Sequence, residues 1–339
     1  MKIVLDVYGG DHSPYAMIQG AAEALNECPE LELVLTGNET EINAGLTKFS
    51  YDKKRLEIVH APQVITNHDI PTDAVKNKRE SSMVKAFEIA KERADIVGMV
   101  TAGSTGAALT GAALKLGRIR GIRRPALAPA LPTVKGGRVC LIDCGANVDC
   151  APEFLAQFAL MGTAYMRAIY GVENPRVALV SNGVEEKKGN ELVHQALPLL
   201  KGLPINFVGN MEARDALSGD YDVLVCDGFV GNVLLKSVEG SISALMKMIK
   251  GALNSNIRSK MGGLLIKPAL KNMMKSLGIG EWAAAAFLGC NKLLAKAHGS
   301  SDVAEIKIAL MQVMQMANGK LTERITAEMA KLEKLEQTN

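Results

Sequence analysis

The chain has 339 residues, 48% hydrophobic and 22% charged, with a formal net charge of +3 at pH 7. That balance excludes a disordered chain, and the charge is too small to argue by itself for DNA or RNA binding. Aromatic residues make up only 4% while Gly, Ala and Met are plentiful, a composition that suits close helix–sheet packing and not base-stacking platforms, so no nucleic-acid partner is expected.

The chain opens on a strand-like KIVLDV (2–7). No charged leader with a long apolar run precedes it, and no stretch reaches about 18 apolar residues free of charge. We therefore expect a cytoplasmic protein without a spanning helix. Further strands are predicted at 32–37, 55–61, 95–102, 138–143, 176–181, 205–209 and 222–228, and helices near 14–27, 81–93, 105–117, 152–170, 188–200, 231–250 and 302–333. Apolar strands alternating with helical patterns predict an α/β three-layer αβα sandwich with a mostly parallel sheet covered on both faces, residues 1–339 forming a single α/β domain. The six cysteines, Cys28, Cys140, Cys144, Cys150, Cys226 and Cys290, contain no Cys-x-x-Cys pair. They read as buried free thiols in a reducing compartment, so no metal is expected and no cofactor is assigned.

TAGSTGAALTGAALKLGRIRG (101–121) brings Gly103, Ser104, Thr105 and Gly106 to the end of a predicted strand. Neither a Gly-x-x-x-x-Gly-Lys-Ser/Thr loop nor a Gly-x-Gly-x-x-Gly after a strand is present, and GIGEWA (278–283) is a chance match. VLTGN (34–38), FVGN (207–210) and FVGN (229–232) read as strands leaving through Gly-Asn, and DVYGGD (6–11) and LIDCGANVD (141–149) end similarly. Five such exits on one sheet edge favour a shared polar ligand over five independent tight turns.

At that edge VEEKKGNEL (184–192) places Lys188 before Gly189 and Asn190 at a strand-to-helix turn, either as a cation for phosphate or an oxyanion or as a solvated loop. Asp143, Asn147 and Asp149 share one loop and either fix a turn or bind phosphate or magnesium. His298, in AHGSS (297–301), precedes the last helix and is a candidate site residue; no Gly-x-Ser-x-Gly elbow marks a nucleophile. Residues 240–280 contain no Asp or Glu yet carry seven Lys and Arg side chains. Ile257, Met261, Leu264 and Leu265 share one helical face, and Gly262, Gly263 and Pro268 break the pattern, predicting a basic amphipathic hairpin over 252–277. Such a projection suits an anionic membrane surface, an acidic protein partner or dimerisation.

Taken together, GGD (9–11), PTDAVKNKRESSMVKAF (71–87), TAGSTGA (101–107), GRIRGIRRPALAPALP (117–132), DCGANVDCAPEFLAQFALMG (143–162), KKGNE (187–191), FVGNMEARD (207–215), DGFVGNVLLKSVEG (227–240) and KAHGSS (296–301) resemble the bacterial phosphate acyltransferases of phospholipid synthesis, the PlsX family. Tyr8, Ser104 and Val230 depart slightly from the family's residues, and EWAAAAFLG (281–289) replaces a glycine-rich stretch. The resemblance implies transfer of a long-chain acyl group from the acidic acyl carrier protein to inorganic phosphate. It also implies a fold like isopropylmalate dehydrogenase and phosphotransacetylase, a homodimer, and peripheral association with the inner face of the cell membrane. Carried over by position, Lys188 and Asn232 are the catalytic residues; Gly103, Ser104, Thr105, Gly106, Asn147, Gly189, Asn190, Gly231 and His298 are expected around the phosphate or acyl thioester. Ile257, Met261, Leu264 and Leu265 are expected at the membrane. Two rival readings are a metal- and NAD-dependent decarboxylating dehydrogenase on the related fold and a non-catalytic membrane-docked scaffold that binds acyl carrier protein.

Overall fold

The computed structural model describes residues 1–276 and 284–338. GIGEWA (278–283), the first three residues of EWAAAAFLG and the last residue of the expected 252–277 hairpin lie outside the described residues.

The first part of the chain alternates β1 (Lys2–Asp6), α1 (Tyr15–Glu27), β2 (Glu32–Gly37), α2 (Glu39–Leu46) and β3 (Leu56–His60), followed by α3 (Pro71–Asn77), α4 (Ser82–Glu92), β4 (Ile96–Thr101) and α5 (Thr105–Gly111). Two three-residue strands follow, β5 (Ala126–Ala128) and β6 (Ala130–Pro132). Then come β7 (Arg138–Ile142), α6 (Pro152–Tyr170), β8 (Arg176–Ser181), α7 (Glu191–Lys201), β9 (Asn206–Glu212) and β10 (Val223–Val225). The chain continues through α8 (Gly228–Asn254), α9 (Ile257–Ser276), β11 (Ala284–Leu288), β12 (Leu293–Ala297), α10 (Val303–Asn318) and α11 (Leu321–Thr338).

Helix starts follow local chemistry. Asn38 accepts from Thr40 and Glu41, Ser81 from Val84, Asn190 from Val193 and Asp227 from Val230, each side chain satisfying a donor that the first helical turn leaves free. Asp302 and Glu305 form a reciprocal capping box at α10.

The strands form two sheets rather than the one the alternation predicts. A seven-stranded sheet runs β3-β2-β1-β4-β12-β11-β5, and a five-stranded sheet runs β6-β7-β10-β8-β9. Pro129 separates β5 from β6, so the chain leaves one sheet and enters the other at a residue without a backbone N–H. Pairing is parallel except where β11 meets β12 and β5, and where β6 meets β7. The larger core cluster contains Ile3 and Leu35 from the first sheet with Ile142, Leu179 and Val225 from the second. The result is a helix-covered α/β sandwich with a helical hairpin.

Three local expectations change. FVGN (207–210) lies inside β9, and FVGN (229–232) is the first turn of α8, so neither is a strand exit. The expected helix over 302–333 is two helices, parted at Gly319 and Lys320. In the hairpin the reversal falls at Ser255 and Asn256; Gly262, Gly263 and Pro268 are all inside α9.

Candidate active site

A cavity of about 590 Å3 opens where the C-terminal ends of β4 and β12 face the start of α8 and the crossing between the sheets. Gly103, Thr105 and Gly106 form one wall, and Ala297, His298 and Gly299 continue the wall from β12. Leu127, Pro129, Ala130 and Leu131 line it from the sheet crossing. From α8 come Asn232, Leu235, Lys236 and Glu239, at i, i+3, i+4 and i+7 on one helical face.

The glycines are required by close approach. A Cβ on Gly9, whose φ is +95°, would lie 2.5 Å from the Cα of Gly103, so the loops after β1 and β4 touch backbone to backbone. The amide of Gly103 donates to the Thr101 hydroxyl at 3.0 Å, which fixes this turn over the strand end. Gly231 matters for its lack of a side chain: an added Cβ would fall 1.9 Å from the Asp143 carbonyl oxygen. The first turn of α8 therefore rests directly on the loop after β7.

That loop is organised by one buried carboxylate. Asp143 accepts from the amides of Leu127 at 2.9 Å, Cys144 at 2.7 Å and Ala146 at 3.1 Å through Oδ1, and from the amide and side chain of Asn147 through Oδ2. Asn147 also donates to the Pro125 carbonyl, and its own carbonyl accepts from Gly228. Asn147 thus holds α8 in place and does not line the cavity. Burial raises the Asp143 carboxyl above its ordinary value, and the backbone and Asn147 donors oppose that rise.

Of the other expected site residues, Ser104 precedes α5 without a side-chain capping bond and does not line the cavity. His298 is exposed, with Nδ1 2.8 Å from the Ser300 hydroxyl. Gly189 and Asn190 line a second cavity of about 410 Å3, together with Ser181, Asp227 and Val230. Lys188 lines neither cavity; it is exposed and packs its stem against Gly183. The structure therefore brings Asn232 together with Gly103, Thr105, Gly106 and His298, and leaves Lys188 outside that cavity, next in sequence to the Gly189 and Asn190 of the second.

Two lysines that the sequence reading passed over lie in the first cavity. Lys236 is one helical turn beyond Asn232 and pairs with Glu239 at 2.7 Å; its place at i+4 was available from GNVLLK. Lys296, on β12, is only 8% exposed, and its ammonium donates to the carbonyls of Ala102 and Ala297. Desolvation lowers its pKa to about 8, partly opposed by Asp6. Asp6 is 1% exposed, accepts from the Thr101 hydroxyl at 2.7 Å and is raised by burial to about 6. Cys144 also lines the cavity, but burial and the nearby Asp143 carboxylate push its thiol up to about 12. It is a protonated thiol near neutral pH, not a nucleophile.

The family described as "Fatty acid synthesis protein" matches residues 1–324. The phosphate acyltransferase of Clostridium acetobutylicum is 44% identical over 333 residues, covering 98% of this chain and 100% of the relative. This chain belongs to the phosphate acyltransferase family of fatty acid and phospholipid synthesis. A second member of the phosphate acyltransferase family, from Clostridium novyi, is 46% identical over 326 residues, covering 96% of this chain and 97% of its own length. In fold the chain is similar to a phosphotransacetylase from Streptococcus pyogenes, with a TM-score of 0.61 at 17% identity over 95% of this chain and 94% of that one.

Proposed function

We propose that this phosphate acyltransferase moves a long-chain acyl group from acyl carrier protein to inorganic phosphate, giving acyl phosphate and free carrier protein. The observation that carries the reading is the cavity where the Gly103–Gly106 turn, Asn232 and buried cationic side chain converge at strand ends. Membership of the family supplies the reaction class; the cavity supplies what the reaction needs, an anion held beside a carbonyl and donors where its oxyanion forms.

In this reading hydrogen phosphate dianion attacks the thioester carbonyl. An O–C bond forms, the C–S bond breaks, and the phosphate proton ends on the departing sulfur, so charge and atoms balance without a cofactor. The Asn232 amide orients the phosphate or the oxyanion from α8. Lys188 acts from outside the cavity, as an exposed cation beside Gly189 and Asn190.

We extend the proposal to the surroundings of the enzyme. The two sheets share a core, which favours one functional unit over residues 1–339. Among the described residues no helix is long and apolar enough to cross a membrane. The α8–α9 hairpin nevertheless presents Ile257, Met261, Leu264 and Leu265 to solvent, 78%, 64%, 71% and 85% exposed, and Lys247, Lys250, Lys260 and Lys267 line a groove between its two helices together with Leu264. Exposed apolar side chains on a basic hairpin suit peripheral attachment to the anionic inner face of the cell membrane, from a cytoplasmic pool, and the same hairpin offers a homodimer contact. The basic surface suits the acidic carrier protein.

The test is to mix purified protein, long-chain acyl-acyl carrier protein and inorganic phosphate. Acyl phosphate and free carrier thiol should appear together, in a phosphate-dependent reaction. Carrier binding with no phosphate-dependent release would instead support a scaffold.

A further inference from the structure

β1, β4 and β12 are neighbours in the first sheet and run parallel. Lys296 is the register partner of Thr101, and Asp6 follows Leu5, the partner of Val100. Three strands distant in sequence therefore end in one row, Asp6–Thr101–Lys296, directly beneath the Gly103 turn. The Thr101 hydroxyl joins the row to that turn, donating to Asp6 and accepting from the Gly103 amide.

An ammonium group has three donors. Those of Lys296 include one to Ala102 and one to Ala297, and both of these residues line the first cavity, as does Lys296 itself. This ammonium has no third protein acceptor among the described residues, which leaves one donor for a ligand in the cavity that Lys296 lines. A buried cation held by neutral carbonyls and a carboxylate one strand beyond Thr101 costs desolvation energy, which an anionic ligand in the cavity offsets.

We infer that Lys296 is a phosphate-binding residue of this enzyme, holding inorganic phosphate against the Gly103–Gly106 turn, with Asp6 and Thr101 as positioning residues behind it. The inference deepens the proposed function and rests on that reading of the cavity. Lys296 supplies the buried cation that Lys188, exposed and outside this cavity, does not supply there. The titratable groups around it are Asp6 on β1, Asp11 in the loop after β1, Cys144 after β7, Lys236 and Glu239 on α8, and His298 two residues beyond it. Lys236 and Asp6 act on its charge in opposite senses.

The expected signature is a loss of phosphate binding as pH rises. With a pKa lowered to about 8, Lys296 is charged below that pH and becomes neutral above it, while phosphate is already a dianion. Thermal stabilisation by inorganic phosphate alone should weaken in the wild type above about pH 8, and Lys296→Arg should remove that limb because guanidinium stays charged. Lys296→Met should raise the phosphate KM about 10- to 100-fold, the range for one charged hydrogen bond, with the acyl-donor KM changed less than about threefold. A phosphate KM unchanged in folded Lys296→Met, or wild-type phosphate affinity that is flat from pH 7 to 10, overturns the inference. The second measurement needs no variant. If wild type shows the phosphate effect but makes no acyl phosphate, the proposed reaction fails and the phosphate site stands; if Lys296→Met makes acyl phosphate with the wild-type phosphate KM, the reverse holds.

Discussion

Lys296 sits opposite Thr101 on adjacent parallel strands, and Thr101 in turn donates to Asp6 at 2.7 Å. This relationship places a buried cation and a buried carboxylate at one sheet edge, at the cavity that also receives Asn232. Both charges are displaced from their ordinary values by burial, and both displacements have measurable consequences.

The first concerns acid. The Asp6 carboxyl is raised from 3.8 to about 6. A carboxyl raised on folding binds its proton more tightly in the native state, so its contribution to stability is full below about pH 4 and is lost as pH rises through about 6. The shift corresponds to about 3 kcal/mol. Urea unfolding at pH 4, 5, 6 and 7 should show this component in the wild type, and Asp6→Asn should lack it. Parallel pH dependence in the two proteins would show that Asp6 does not titrate in this way.

Thr101→Val removes the hydroxyl while keeping the side-chain shape. It leaves Asp6 short of a donor and the Gly103 amide without its acceptor, for a loss of about 1–3 kcal/mol in urea unfolding. A change below a few tenths of a kcal/mol would mean that the row is not held together by this hydroxyl.

Gly231 and Gly240 lie on the same helix in opposite situations. Alanine at 231 would drive a methyl into the Asp143 carbonyl, whereas nothing lies within 4 Å of a Cβ at 240. Gly231→Ala should cost roughly 3 kcal/mol and disturb the Asn232 turn. Gly240→Ala should stabilise by roughly 0.5–1 kcal/mol, by lowering the backbone entropy lost on folding. Denaturant midpoints of the two variants should move in opposite directions.

For the reaction, Asn232→Ala should lower acyl phosphate formation by about 100-fold, as loss of an oriented donor does. Lys188→Ala should lower it by about tenfold, and more at low salt, because an exposed cation acts through a screened field. Near-normal rates in both folded variants would remove these residues from the site.

At the hairpin, Leu264→Glu with Leu265→Glu should abolish sedimentation with anionic liposomes, since each apolar side chain contributes about 1.5–3 kcal/mol when buried. If vesicle binding is unchanged while gel filtration shows smaller particles, the hairpin serves dimerisation.

Much of this protein was legible before folding. Apolar runs such as KIVLD and RVALVS announce buried parallel strands, and Asn190, Asp227 and Asp302 mark helix starts by side-chain chemistry that acts within three residues. The ordered motifs identified the family, and Gly103, Thr105, Gly106, Asn232 and His298 do meet in one cavity.

Other features depended on distant parts of the chain. β11 and β12, AAAFL and LLAKA, contain no β-branched residue, so only their pairing with β4 and β5 makes them strands. Lys296 was passed over for that reason: it opens the quoted KAHGSS segment, but only register sets it beside Thr101. The same holds for Lys188, which local pattern places at a strand-to-helix turn but tertiary packing sets outside the cavity of Asn232. Periodicity and capping are short-range and survive in the sequence; burial, register and charge displacement arise only when strands β1, β4 and β12 are brought side by side.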